Sequence, residues 1–238
     1  MITVNFDKLN IPAHSRILDI GCGSGRHLAA AYALEKTVIV GADANYDDLK
    51  KARDRLNFHD MVGAHGGGRW SLNAADITRL PFADATFDLV ICSEVLEHIP
   101  NHRKAMIEIV RVLKPGCHLV VSVPRRWPEI ICWRLSWEYR NDPGGHVRIY
   151  DARQLIRRIE ALGVKHRRTH WAHSLHSPYW WLKCYLGYRQ NDSRPVQLYH
   201  RLLVWDLMEK PLLTQLLEKL LNPLLGKSVV LYFSKPIC

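Results

Sequence analysis

Residues 16–25 read RILDIGCGSG. An apolar run, Ile17 to Ile20, carries one acid, Asp19, and ends in three glycines separated by small residues: Gly21, Gly23 and Gly25. The pattern predicts a buried strand that turns sharply into a helix. Glycines at such a turn permit positive φ and let a ligand touch the main chain. The helix that follows offers free N–H groups at its first turn. Alone, the loop indicates a nucleotide-type ligand and nothing finer.

Outward from this turn the chain alternates between two kinds of segment. Residues 26–34 are Ala-rich and read as a helix, 37–42 (TVIVGA) as a second buried strand ending at Asp43, and 46–56 as a helix. Residues 61–69 hold Gly66-Gly67-Gly68 and read as a flexible connection. A short strand, 70–74, leads to Asp76, and 87–93 (FDLVICS) form a fourth strand. Helix 102–113 places Met106, Ile109, Val110 and Leu113 on one face, is stopped by Lys114-Pro115-Gly116, and is followed by strand 118–123. Near-continuous apolar strands alternating with helices imply a parallel sheet covered on both faces. Right-handed crossovers make it doubly wound. Its ligand crevice then lies at the carboxyl ends of the strands, beside the first. Gly21–Gly25, Asp43, Asp76, Ser93 and Glu94 all fall at strand ends and should converge.

After residue 123 the pattern changes. Residues 124–145 look irregular and aromatic, with Trp127, Trp133, Trp137 and Tyr139. Asp151 is placed to cap a helix running to Leu162, with Gly163 as its stop. Residues 164–171 read as a sixth strand and 228–233 (SVVLYF) as the last. About 50 residues of helical character lie between them, an insertion long enough to be a lid.

The 238 residues, 47% hydrophobic and 24% charged, have ordinary globular composition. The first eight residues lack the apolar core of a signal peptide, and no uncharged run reaches the roughly 18 residues of a membrane span. Six scattered cysteines with no CxxC pair read as reduced thiols in a cytoplasmic protein. The net charge of +10 is unevenly placed. Residues 1–124 balance 14 Lys/Arg against 14 Asp/Glu, whereas 125–238 hold 19 against 9 and seven of the eight tryptophans. A basic, aromatic second half fits an anionic or amphipathic partner, and equally a solvated surface over a Trp-rich core.

Five blocks in order, LDIGCGSG, VGAD, AADITRLPFADATFDLVIC, SEVLEHI and LKPGCHLVVSVP, resemble the class I S-adenosylmethionine-dependent methyltransferases, in particular the type 11 methyltransferase domain family. The resemblance covers about residues 15–123. It implies an α/β fold: a doubly wound, Rossmann-like, mostly parallel seven-stranded sheet with an antiparallel last strand and a helical insertion before it. The domain would comprise 1–174 and 228–238, with 175–227 an insertion or lid. The resemblance also implies S-adenosyl-L-methionine as cofactor. Gly21, Gly23 and Gly25 would let the backbone approach it, and Asp19 would favour its cationic end. Asp43 would accept from the ribose hydroxyls and Asp76 from the adenine amine, with Ile77 against the ring and Ala44 or Asn45 near its opposite face. Ser93 and Glu94 would border the methionine end. Each acid also has a plainer role open to it: Asp19 as a brace for the glycine turn, Asp43 and Asp76 as helix or turn caps.

Rival nucleotide readings lack their residues. A dinucleotide fingerprint needs glycine where Arg26 stands, and no lysine follows Gly25 as a phosphate loop requires. Aminopropyl transfer would want an acid where Cys92-Ser93 ends the fourth strand. Base-amine methylation of nucleic acid would want a [DNS]PP[YFW] tetrapeptide where SEVL stands, so nucleic acid is disfavoured as partner.

A hydroxyl acceptor must lose its proton on attack, which calls for a base such as histidine. His98, in Glu97-His98-Ile99-Pro100, and His146, in a GHVRIY run similar to the family's HVRxF-like turn, are the candidates. His170, His173 and His176 lie within seven residues but have no carboxylate near in sequence, so no metal is expected. Leu198, Leu202, Trp205, Leu212, Leu213, Leu216, Leu217, Leu220 and Leu221 make an apolar helical stripe. Core packing is its default use; a lid over a greasy acceptor or a helix on a membrane surface is the sharper one. The sequence reading is thus methyl transfer, to oxygen of a small or lipid-linked acceptor, in a cytoplasmic protein with peripheral membrane contact open. A non-catalytic cofactor-binding protein and a nucleic-acid methyltransferase stand as alternatives.

Overall fold

The computed structural model describes residues 2–188 and 193–237. Residue 1 of the leader reading, 189–192 of the expected insertion and Cys238 lie outside the described residues. The first half builds β1 (Arg16–Ile20), α1 (Arg26–Tyr32), β2 (Val38–Asp43), α2 (Tyr46–Met61), β3 (Arg69–Ala74), β4 (Phe87–Ser93), α3 (His102–Val112) and β5 (Leu113–Pro124). The second builds α4 (Arg126–Leu135), α5 (Trp137–Arg140), α6 (Ala152–Glu160), β6 (Lys165–Ala172), α7 (His176–Leu186), α8 (Arg194–Glu209), α9 (Leu212–Leu225) and β7 (Ser228–Ser234).

One seven-stranded sheet runs β3-β2-β1-β4-β5-β7-β6, with β7 alone antiparallel to its neighbours, as expected for this fold class. β1 sits between β2 and β4, where the winding direction reverses; Leu18 lies opposite Val40 on one side and Val90 on the other. Side chains alternate across the sheet. Leu18, Ile20, Val90 and Cys92 pack under Met106, Ile109 and Leu155 on one face. Ile17, Ile39, Leu89 and Ile91 pack with Leu28, Leu49 and Leu56 on the other. Burial on both faces explains the unbroken apolar runs.

Local signals behave as their chemistry dictates. The Asp151 carboxylate accepts the Gln154 N–H at 3.1 Å to start α6, and Gly163 turns the chain beyond that helix at φ +92°. Asn45 caps α2 by accepting the N–H groups of Asp47 and Asp48, so that task does not fall to Asp43.

Two expectations are corrected. The 124–145 stretch is not irregular: it forms α4 and α5. Pro128 falls in the first turn of α4, where no intrahelical N–H is needed, and the Ser136 hydroxyl starts α5 by accepting the Tyr139 N–H at 3.1 Å. The apolar stripe of α8 and α9 is not core. Leu198, Leu212, Leu216 and Leu220 are exposed, Leu216 by 58% and Leu220 by 71%, while Val196, Leu203 and Thr214 face inward instead. No helix among the described residues is long and apolar enough to cross a membrane. The five described cysteines are free thiols.

Candidate functional site

The glycine turn and the acids of neighbouring strands meet at the carboxyl end of β1. Gly23 (φ +51°) donates its N–H to Asp43 Oδ2 at 2.8 Å, and Asn45 donates to Oδ1 of the same carboxylate at 2.8 Å. A Cβ on Gly23 would meet nothing within 4 Å, so its backbone faces open space. Gly25 (φ +76°) serves packing instead: a Cβ there would stand 3.0 Å from Ala52 Cβ, and its absence lets α2 close on α1. Gly21 is tied down by its N–H, which donates to the Ala42 carbonyl at 2.7 Å.

Beneath this turn Asp19 is 1% exposed, and its Oδ2 has no hydrogen-bond partner. Burial, then the charge of Asp43, pushes its carboxyl up to about 8, with Arg26 opposing. A buried carboxyl without a partner is a receptor waiting for a donor or a cation.

Asp76 lies two residues past Ala74, the β3 partner of Asp43. Its two oxygens accept the Thr78 N–H (2.7 Å) and hydroxyl (2.8 Å), which hold it below the ordinary carboxylate range. The turn-capping role is therefore realised, with a second lone pair left on each oxygen. Ala44 is exposed beside Asp43, whereas Ile77 is buried in the core. The Ser93 hydroxyl is within 2.6 Å of Thr3 Oγ1 and 2.8 Å of Ser122 Oγ. Glu94, at φ +55°, accepts the Ser122 hydroxyl at 2.9 Å. Burial raises its carboxyl, and Lys227 opposes the rise. Thr3 was not foreseen. Its N–H donates to His27 Nε2 at 3.1 Å, so the amino-terminal segment crosses between α1 and the end of β4.

A second cluster adjoins Glu94. The His146 Nδ1–H donates to Glu129 Oε1 at 2.5 Å. Glu129, on α4 and 2% exposed, also accepts from the Trp133 indole (3.1 Å) and the Tyr139 hydroxyl (3.2 Å). Burial alone would raise Glu129; the hydrogen bond and charge of His146, helped by Lys227, outweigh it and hold the carboxyl below its ordinary value. In the tautomer with Nδ1 protonated toward Glu129, Nε2 is the ring nitrogen that carries the lone pair. The His98 ring lies 4.9 Å from that of His146 and donates Nδ1–H to the Gly145 carbonyl at 3.0 Å. Burial, then His146, keeps His98 below its ordinary value. Arg148 fixes this arrangement: its guanidinium donates to the carbonyls of Leu96, Ile99 and Pro100. Beside them Glu97 is fully buried with neither oxygen hydrogen-bonded; burial and the charge of Glu94 push its carboxyl well up.

The structure therefore brings together Asp19, the glycine turn and Asp43 in one place, and His98, His146 and Glu94 in another beside it. Glu129 escaped the sequence reading because its helix did. Its only signal is spacing: Glu129, Cys132 and Trp133 share one face once the stretch is helical.

A family model described as a methyltransferase domain matches residues 3–167, more than half of the chain. The chain belongs to that family. Its fold and motifs are those of the class I S-adenosylmethionine-dependent methyltransferases, whose cofactor is S-adenosylmethionine. The methyltransferase domain is 34% identical over 119 residues to methyltransferase GfsG of Streptomyces halstedii, covering 49% of this chain and 40% of that protein. It is 31% identical over 114 residues to the 27-O-demethylrifamycin SV methyltransferase of Amycolatopsis mediterranei, covering 48% and 40%. The chain thus spans about two fifths of the length of these curated relatives. Among solved structures, the [4+2]-cyclase SpnF superposes with a TM-score of 0.64 at 18% identity, covering 98% of this chain and 78% of that one. That likeness speaks for the fold and not for the chemistry. The site itself fits the family's cofactor. Asp19 Oδ2 is a buried acceptor without a donor, and Gly23 leaves its backbone bare where a Cβ would intrude on a ligand.

Proposed function

We propose that this methyltransferase domain methylates an oxygen of a small or lipid-linked acceptor, with His146 as general base and Glu129 as the group that orients it. S-adenosylmethionine, when bound, supplies an electrophilic methyl group on a sulfonium. Asp19 would receive its ammonium group, Gly23 would leave the backbone open to it, with Gly21 and Gly25 shaping the turn around it, and Asp43 would accept from the ribose hydroxyls. Asp76 would accept from the adenine amine between Ala44 and Ile77, and Ser93 and Glu94 would border the methionine end.

The observation that carries the reading is the His146–Glu129 contact of 2.5 Å inside a buried cage. The Nε2 lone pair of His146 takes the proton of an acceptor hydroxyl. The imidazolium so formed is stabilised by a carboxylate that Trp133 and Tyr139 hold in place. His98 stands beside it, its ring 4.9 Å from that of His146 and its proton affinity lowered by burial. Methyl transfer to oxygen needs such a base. The 27-O-demethylrifamycin SV methyltransferase among the relatives supports oxygen as the acceptor atom.

The helices between β6 and β7 support a lid, and their surface supports a lipid-linked acceptor. Leu198, Trp205, Leu212, Leu216 and Leu220 form an exposed apolar face on the half of the chain that carries the excess of positive charge. The same face is what supports peripheral contact with an anionic membrane.

The test is a methyl-labelling screen. The protein is incubated with S-adenosylmethionine carrying a labelled methyl group and with solvent-extracted and aqueous cell fractions, and products are read by mass spectrometry. The proposal expects an O-methyl product, lost in Glu129→Gln. Cofactor binding with no labelled product in any fraction would leave a cofactor-binding protein without transferase activity. A product formed equally well by Glu129→Gln would remove the base assignment.

A further inference from the structure

Outside the cluster just described, three side chains from distant parts of the chain meet. His173 and His176 lie on the turn from β6 into α7, and Glu218 lies on α9. One ligand-capable atom from each falls within 4.8 Å of the others. His173 Nε2 and His176 Nδ1 are both buried with no hydrogen-bond partner. Buried ring nitrogens are ordinarily satisfied, and two unsatisfied ones on histidines grouped with a carboxylate require an explanation. The sequence reading set a metal aside here for want of a nearby carboxylate; the fold supplies one from 42 positions downstream of His176. His170, the third histidine of the run, is not part of the group: its ring lies against Tyr232.

We propose that His173, His176 and Glu218 bind a divalent transition-metal ion of the zinc type. Two imidazoles and one carboxylate are the donor set of zinc sites that keep a coordination position open, whereas calcium and magnesium take oxygen ligands. The turn is held ready for it. Ser174 donates its N–H to Asn222 Oδ1 at 2.9 Å, Ser177 its hydroxyl to the Leu225 carbonyl at 2.6 Å, and Tyr199 its hydroxyl to the Leu175 carbonyl at 3.0 Å. α8 and α9 therefore clamp the residues that carry both histidines. His173 sits at φ +65°, a conformation a non-glycine residue adopts under constraint. His173 and Glu218 also line a cavity of about 770 Å³ between α9 and the amino-terminal segment, which gives an ion a route in. The other grouping of this kind, Glu97, His98 and His146, is a weaker candidate. Its His146 Nδ1 is engaged by Glu129 and its His98 Nδ1 by Gly145. Bound at His173, His176 and Glu218, the ion would pin α9 to the end of the sheet, making the helical cover metal-dependent.

The experiment uses the full chain stripped with a chelator and titrated with cobalt(II), whose visible absorption reports imidazole coordination. The proposal expects one equivalent of cobalt to give a tetrahedral-type band that zinc abolishes. It also expects zinc to raise the melting temperature by several degrees. Glu218→Gln and His176→Asn should each weaken binding at least tenfold, while His98→Asn leaves it unchanged. Circular dichroism and S-adenosylhomocysteine binding check that each variant is folded. Absence of a band in the wild-type chain overturns the proposal whatever the variants do. So does a band that persists in folded Glu218→Gln and His176→Asn, or one that disappears in folded His98→Asn.

Discussion

With Asp19 receiving the cofactor's ammonium group as proposed, binding should depend on pH in a way that can be calculated. Burial and the charge of Asp43 raise its carboxyl to about 8 despite Arg26. Below that pH the free protein holds Asp19 protonated, whereas a bound ammonium group needs the carboxylate. Each pH unit of deprotonation costs about 1.4 kcal/mol. Affinity for S-adenosylhomocysteine should therefore rise about tenfold from pH 6 to pH 7 and about fivefold from pH 7 to pH 8, and then level off. About one proton leaves per molecule bound at pH 6 and pH 7, and about half a proton at pH 8. Titration calorimetry at these three pH values, in two buffers of different ionisation enthalpy, reads both quantities. Asp19→Asn should abolish the slope and the proton release together. Folding carries the linked signature. Because the folded-state value lies above the ordinary 3.8, the stabilising contribution is complete below about pH 4 and is lost as pH rises through about 8. Asp19→Asn should accordingly raise the melting temperature of the cofactor-free protein more at pH 8 than at pH 5. An affinity that stays flat from pH 6 to pH 8, or a slope that survives in Asp19→Asn, would refute the reasoning.

Three further outcomes are expected. Asp43→Ala removes the acceptor of the Gly23 and Asn45 N–H groups and should weaken S-adenosylhomocysteine binding at least tenfold by calorimetry; undiminished affinity would end the ribose assignment. Glu129→Gln should lower kcat by roughly 10²–10⁴ at little change in KM, measured on whichever acceptor the labelling screen yields. Gly25→Ala combines a positive φ with a Cβ 3.0 Å from that of Ala52. It should destabilise the fold by about 1–3 kcal/mol, visible as a lower urea midpoint, and an unshifted midpoint would contradict the close α1–α2 approach.

The sheet was readable from the chain because its strands are buried on both faces. β1, β4 and β7 appear as apolar runs, and Asp43, Asp76 and Glu94 at the ends of β2, β3 and β4 mark the crevice. The caps were readable too, since Asp151 and Gly163 act through their own backbone neighbours. What stayed hidden depends on contacts between distant segments. α4 was masked by Pro128, which reads as a breaker unless its place in the first turn is known. With α4 went Glu129, whose importance rests on Trp133, Tyr139 and His146 closing around it. Leu216 and Leu220 carried the periodicity of a core helix, and periodicity cannot distinguish a core from a face left open to solvent. Glu218 meets His173 only through the long path from β6 to α9.

The position of β7 bears on how this protein is made. It is the last strand in the chain, yet it lies inside the sheet between β5 and β6, with all seven residues buried. On the ribosome, β5 emerges about 100 residues ahead of it. At about 5–20 residues per second, the nascent chain spends roughly 5–20 s with an apolar strand edge unpaired. A protein assembled in this order depends, for those seconds, on whatever shields that edge until translation delivers the closing strand.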